Sequence, residues 1–326
     1  MQTDPVSVAA QDPALSRLGS KGGVMAGLRA QTRKSSGERR LSTRKQIGLQ
    51  LICLFITFTV LFPVLWIVSI SVDPRGLTRP DGLNLIPPGF SLESYKSVIA
   101  QPTSNPISFL ELARNSFIIA SATSLLSVGI GLTAGYAFSR LRFRFRDALM
   151  LSVLAVLMLP AVATIAPLFV LLTRIQIGEF VLGRSILGVV IAITASVLPF
   201  AIWNLKGYLD TIPRDLEEAA AVDGATRNQS FLKIVLPLAK PAIAVTAFLG
   251  FIAGWTEFYF SVIFLSDVKQ FTLSIALNGM VGQYATQTPW AEFAAFSILF
   301  ALPVSVVYFF AQKYIIGGLA VGGVKG

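Results

Sequence analysis

Six stretches of this chain stay apolar for about twenty residues or more, and a water-soluble fold of this size has no interior large enough to hide them all. They are Ile47–Val72, Asn115–Ser139, Ala148–Thr173, Ser185–Leu205, Pro241–Ser266 and Phe293–Gln312. Five carry no charged side chain, and the fifth along the chain carries one, Glu257. Crossing a bilayer core takes roughly 20 apolar residues at about 1.5 Å of rise each. Inside lipid every segment must satisfy its own backbone polar groups, and the alternating pattern of a β-barrel is absent, so the segments are read as helices. Composition agrees: of the 326 residues 54% are hydrophobic and 13% charged, with mean hydropathy +0.68. A soluble domain carries about a quarter charged residues. The expected fold class is an all-α integral membrane protein of six transmembrane helices.

The charge distribution sets the orientation. With the amino terminus inside, regions 1–46, 140–147, 206–240 and 313–326 hold twenty of the 27 Lys and Arg, and the outer regions hold seven. That asymmetry places both termini in the cytoplasm. The net charge of +10 is therefore topological and calls for no nucleic acid. Residues 1–46 read as a basic, disordered cytoplasmic arm and not as a secretory signal. Arg140, Arg142, Arg144 and Arg146 read first as a tight positive-inside loop that can touch anionic membrane lipid headgroups, and second as a specific lipid or protein site. There is no histidine and a single cysteine, Cys53, which excludes a zinc centre, a Cys/His nucleophile pair and a disulfide framework. No metal ligand set and no catalytic residues are expected. A GxxxxGK[ST] phosphate loop is also missing, so ATP is not held here in the P-loop manner.

The most informative segment is the inner loop 210–240. Pro213 suits a helix start, and Asp215, Glu217 and Glu218 fall in the first turns, where acidic groups favour the helix dipole. Gly224 stands where a helix ends in a left-handed residue, and Thr226 with Gln229 forms a capping box for a second helix. Pro237 and Pro241 are expected to close that second helix. Read by itself, this is either a surface connector or an elbow whose small Ala219–Ala221 face lets another protein approach.

The spacing within this loop is that of EAA-x3-G-x9-I-x-LP, carried by Glu218, Ala219, Ala220, Gly224, Ile234, Leu236 and Pro237. It resembles the signature of the permease subunits of binding-protein-dependent ABC importers. From Gly207 onward the chain is similar to the MalG-like, maltose/maltodextrin branch of that family, through "LEEAAAVDGAT", "PWAEFAAFSILFALPVSVVYFFAQKYIIGGL" and the closing "GGVKG". The resemblance implies a type I importer (MetI-like) bundle over residues 47–316 with a tail over 317–326, in the bacterial inner membrane. It further implies a non-enzymatic subunit that forms half of a sugar pathway, for a di- or oligosaccharide of the maltose or maltodextrin kind. The implied partners are a second, MalF-like permease, a homodimeric ATP-binding subunit that holds ATP and Mg, and an extracytoplasmic solute-binding protein. In that picture Glu217, Glu218, Ala219, Ala220, Asp223, Gly224, Ile234, Leu236 and Pro237 couple to the ATPase. Gly322, Gly323, Val324, Lys325 and Gly326 touch the ATPase as an inserted tail. Gly282, Gln283 and Tyr284 belong to an outer loop that reaches the binding protein.

Outside the motif, a carboxylate well inside an apolar segment is costly unless it faces water or finds a partner. Glu257 thus faces the pathway, bonds a partner subunit or serves as internal polar glue, with Trp255 and Tyr259 as aromatic neighbours of the pathway or subunit interface. Gly131/Gly135 and Gly250/Gly254 are small-xxx-small pairs for close helix packing, within the chain or against a partner. A stand-alone secondary transporter or channel is the competing function, but it needs charged sites in several spans, and only Glu257 is available.

Overall fold

The computed structural model describes residues 42–76, 82, 85–282 and 288–322. The chain divides into two compact units, 1–61 and 62–326. In the first, residues 43–61 belong to helix α1 (Thr43–Ser71), whose apolar side chains there are exposed. The second holds the rest of α1, then α2 (Glu93–Ala100), α3 (Phe109–Arg140), α4 (Arg146–Val156) and α5 (Ala161–Thr173). A two-residue hairpin, Gln176–Ile177 against Phe180–Val181, leads to α6 (Ile186–Thr211). The elbow follows as α7 (Asp215–Val222) and α8 (Arg227–Leu238), then α9 (Lys240–Trp255), α10 (Tyr259–Phe264), α11 (Leu273–Gly279) and α12 (Trp290–Gly322).

Four of these helices are long and apolar enough to cross a membrane, α1, α3, α6 and α12, and a fifth span arises if the bent pair α8 and α9 counts as one. Two of the six expected segments are interrupted. The third segment is two helices, α4 and α5, of 11 and 13 residues. At 1.5 Å per residue they reach only about 16 and 20 Å, short of a bilayer core. The break falls before Pro160, which lacks an N–H and pushes the preceding residue out of helical geometry. The fifth segment breaks at Thr256–Phe258. There the Glu257 carboxylate accepts the Phe260 N–H at 2.8 Å and stands in for the missing turn.

The centre of the second unit is α3 flanked by α6 and α9. Gly131 and Gly135 lie against α6: a Cβ on Gly131 would sit 3.1 Å from Ala201 Cβ, and one on Gly135 would sit 3.1 Å from the Lys206 backbone nitrogen. Gly254 lies against α3, where a Cβ would come within 2.7 Å of Ala120 Cα. Both small-xxx-small pairs therefore serve contacts within the chain. Short polar links add to them: Ser124 Oγ donates to Ala247 O at 2.7 Å, and Asn204 Nδ2 to Thr246 Oγ1 at 3.0 Å. Among the described residues the apolar core fills the remaining space in four clusters, the smallest of them around Ile70, Ala291 and Ala294. Of the others, one lies around Phe251, Trp255 and Phe296, one around Ile119, Ile193 and Phe264, and one beneath the elbow around Leu205, Leu209 and Val235.

Candidate functional site

The elbow is built as the sequence suggests at its first two joints. Gly224 has φ +83° and ends α7, a conformation that L side chains adopt at a cost. The Thr226–Gln229 capping box is closed at both bonds, 3.3 Å from Gln229 N–H to Thr226 Oγ1 and 2.8 Å from Thr226 N–H to Gln229 Oε1. The third joint differs. Pro237 does not end the second helix, which runs on to Leu238, and the chain instead turns by 74° into α9. The residues before Pro237, Phe231–Val235, form a π turn in which Leu236 N–H reaches back five residues to Phe231 O. A proline has no N–H and its ring collides with the carbonyl four residues earlier. Widening the preceding turn is a way to accommodate it without breaking the helix.

What fixes the elbow to the bundle is a polar network that sequence reasoning missed. Arg140, the last residue of α3, donates from Nε to Glu217 Oε1 at 2.5 Å. Its Nη2 reaches Ile212 O at 2.8 Å and its Nη1 reaches Ser139 Oγ at 3.0 Å. Tyr136 Oη donates to the other Glu217 oxygen at 2.8 Å. Ser139 Oγ continues the chain to Asp210 Oδ1 at 2.6 Å, and Lys206 Nζ holds Oδ2 of the same carboxylate at 2.7 Å. Arg214, just ahead of α7, returns a bond to Ser139 O at 2.7 Å. The side chains of Arg140 and Glu217 are only 7% and 16% exposed. The signal available in the sequence was the i, i+4 pair Tyr136 and Arg140 on one helix face, with Asp210 and Glu217 seven residues apart.

This network separates the adjacent glutamates. Glu217, expected among the docking residues, is corrected to an inward anchor, because one face of α7 must meet the bundle and Arg140 waits there. Glu218, Ala219, Asp223 and Gly224 are exposed, with Leu216 and a fully projecting Val222, 88% exposed, beside them. Ala220 is buried, Ile234 and Leu236 are half-buried, and Pro237 is exposed. Tyr136 and Phe231 meet edge to face at 4.7 Å beneath the elbow. A cavity of about 420 Å³ lies alongside, lined by residues that include Tyr136, Arg140, Arg214, Glu217 and Arg227.

The other singled-out residues are scattered. Trp255 is a core residue, 2% exposed, stacked on Phe251 at 5.8 Å, with its indole N–H donating to Phe300 O at 3.0 Å. Its place as a pathway aromatic gives way to packing. Glu257 is half-buried and makes the internal bond described above, while Tyr259 is 58% exposed. Gly282 N–H bonds Thr288 Oγ1 at 3.0 Å. Gln283 and Tyr284 lie outside the described residues, as do Gly323, Val324, Lys325, Gly326 and most of the basic arm. Gly322 is the last described residue of α12. Among the described residues no group of three or more His, Cys, Asp or Glu side chains is placed to hold a metal ion.

Comparison with known proteins agrees with this architecture. The family model for the binding-protein-dependent transport system inner membrane component matches residues 127–320. The maltose/maltodextrin transport system permease protein MalG of Vibrio vulnificus (strain YJ016) is 35% identical over 277 residues, 82% of this chain and 91% of that protein. The MalG proteins of Yersinia pestis and Escherichia coli (strain K12) are 34% and 35% identical, over 86% and 85% of this chain and 93% and 94% of theirs. Among solved structures, a chain of a bacterial ABC transporter involved in import of the acidic polysaccharide alginate superposes with a TM-score of 0.68 at 22% identity. It covers 84% of this chain and 99% of its own. A chain of the inward-facing MetNI methionine ABC transporter gives 0.50 at 18% identity, over 69% of this chain and 98% of its own. The fold is thus that of ABC importer permeases, and the MalG relatives span nearly their whole length. The chain belongs to the binding-protein-dependent transport system inner membrane components, as a permease subunit of an ABC importer.

Proposed function

We propose that this subunit forms half of the translocation pathway of a carbohydrate importer, for a sugar of the maltose or maltodextrin class. In this reading the elbow lies on the cytoplasmic side and both termini are cytoplasmic. The exposed ridge of Leu216, Glu218, Ala219, Val222 and Gly224 seats in a homodimeric ATP-binding subunit, which alone holds ATP and Mg. A MalF-like permease supplies the other half of the pathway, and an extracytoplasmic solute-binding protein delivers the sugar. Closure of the ATPase pair moves the elbow, and α3 and α6 follow because the Arg140–Glu217 anchor joins them to it.

The single observation that carries this reading is the division of labour on α7, with one glutamate bound to the bundle and the other left on an exposed small-residue face. The sugar is supported by relatives named for maltose and maltodextrin over most of both chains. Tyr259 and Glu257 are assigned to the pathway or the subunit interface, the loop of Gly282, Gln283 and Tyr284 to the binding protein, and Gly322 through Gly326 to the ATPase. The test is binding-protein-stimulated ATP hydrolysis by the assembled complex across a panel of sugars. Stimulation by maltose or maltodextrins is expected. Stimulation by unrelated solutes alone overturns the sugar, and a complex that forms without any ATPase subunit overturns the coupling.

A further inference from the structure

The hairpin that joins α3 to α4, residues 141–145, carries alternating arginine and phenylalanine, and the structure divides the four arginines in and beside it, Arg140 to Arg146, into two kinds. Arg140 is bound to Glu217, and Arg146 donates from Nε to Phe138 O at 2.7 Å, which closes the hairpin. Arg142 and Arg144 are exposed and form no ion pair among the described residues. The backbone that presents them is fixed. Phe143 packs on Phe138 with ring centroids 5.6 Å apart, Phe145 takes a left-handed φ of 64°, and the Arg144 guanidinium lies 4.9 Å over the Phe145 ring. The two rings are themselves 39% and 65% exposed. A cleft of about 400 Å³ opens between Arg142, Phe143, Phe145, Arg146, Asp147 and Ala148. Asp147 is the one acidic group there, in the first turn of α4, where the helix dipole favours it. Beyond the cleft, α4 has no buried residue, and Leu149, Leu151 and Val156 stand exposed.

The geometry points to an anionic-phospholipid site: a headgroup phosphate held between Arg142 and Arg144, its acyl chains laid along the apolar face of α4. Guanidinium groups match phosphate oxygens two at a time, and the stacking of Arg144 on Phe145 already orders one of the two. The exposed apolar side chains around α4 are what select a lipid. A free phosphate has no use for them, and a soluble protein surface would need an acidic patch and a greasy band in the same order. A simple inward bias of positive charge needs neither the closed hairpin nor the stacked guanidinium.

The experiment uses the complete transporter complex in nanodiscs containing a photoactivatable phosphatidylglycerol, with cross-links mapped by peptide. Labelling is expected on the peptide spanning residues 141–151, with a matched phosphatidylcholine probe at background. At about five-fold per interfacial basic residue, Arg142→Gln with Arg144→Gln should weaken capture roughly thirty-fold. Arg142→Lys with Arg144→Lys should recover part of it, because charge returns without the planar fork. Neither arginine forms an ion pair among the described residues, so assembly and basal ATP hydrolysis should hold in both variants. Equal labelling of wild type and the double Gln variant overturns the site. Complete competition by inorganic phosphate overturns the lipid as its ligand. A cross-link from this hairpin to another subunit in place of lipid does so as well.

Discussion

Replacing Arg140 with alanine tests whether the elbow is held by one ion pair or by general packing. The change removes three hydrogen bonds from the guanidinium, to Glu217, Ile212 O and Ser139, and leaves the Glu217 carboxylate with Tyr136 alone. Breaking a buried pair from one side costs about 3–5 kcal/mol, because the surviving charge is stranded. Glu217 retains 16% exposure, so water softens the penalty toward the low end, about 3 kcal/mol. The loss is local. It should appear as faster amide exchange over α7 in the assembled complex, by roughly a hundred-fold at about 1.4 kcal/mol per decade. Arg140→Ala combined with Glu217→Ala should recover part of the protection, since no carboxylate is left unpaired. Unchanged exchange in the single variant, or a double variant worse than the sum of the singles, would refute the reasoning.

Gly224→Asp places a side chain at φ +83° with nothing within 4 Å of its Cβ, so the fold should lose only about 1 kcal/mol while uptake falls. Wild-type uptake by that variant would remove the elbow from the docking surface. Gly254→Val drives a Cβ into Ala120 Cα and should cost about 3 kcal/mol in thermal unfolding of the complex, whereas Gly129→Ala, at an open helical position, should not destabilise it. Glu257→Ala takes the acceptor from Phe260 N–H and should lower complex stability by about 1–2 kcal/mol. Glu257→Gln keeps an acceptor and should assemble normally, and equal losses in both would show that capping is not its role. Arg75, 2.8 Å from Asp73, holds that carboxyl below the usual aspartate range, chiefly through side-chain hydrogen bonds and then through a backbone hydrogen bond and charge. The pair therefore stabilises its loop at neutral pH and stops doing so as pH falls through the lowered value. Asp73→Asn should flatten the acid limb of the stability profile, and an unaltered limb would assign acid sensitivity elsewhere.

The sequence disclosed helices wherever apolar length was continuous and local stop and start chemistry was strong. Gly224 and the Thr226–Gln229 box read correctly because their signals are backbone-local. Pro237 misled because a π turn absorbs it, and nothing in the residue order distinguishes a proline that ends a helix from one that a wider turn admits. A proline inside an apolar segment such as Pro160 signals a kink, whereas a complete break depends on how little α4 packs against anything. Glu217 and Glu218 look alike in a string of letters. Only the arrival of Arg140 from 77 residues earlier assigns them opposite faces. Trp255 likewise reads as a pathway, interface or core aromatic alike, and only the approach of Phe300, from α12, decides for the core.

The glycines that seat α6 and α9 on α3 have a mechanical corollary. Backbones in near-contact, pinned by hydroxyl bonds, have no slack along which to slide, so this trio behaves as a chassis. In the proposed importer, rearrangement between inward and outward access is then taken up where the helices are broken, at Leu157–Pro160 and Thr256–Phe258. Stiffening either joint should trap the transporter in one posture while leaving its assembly intact.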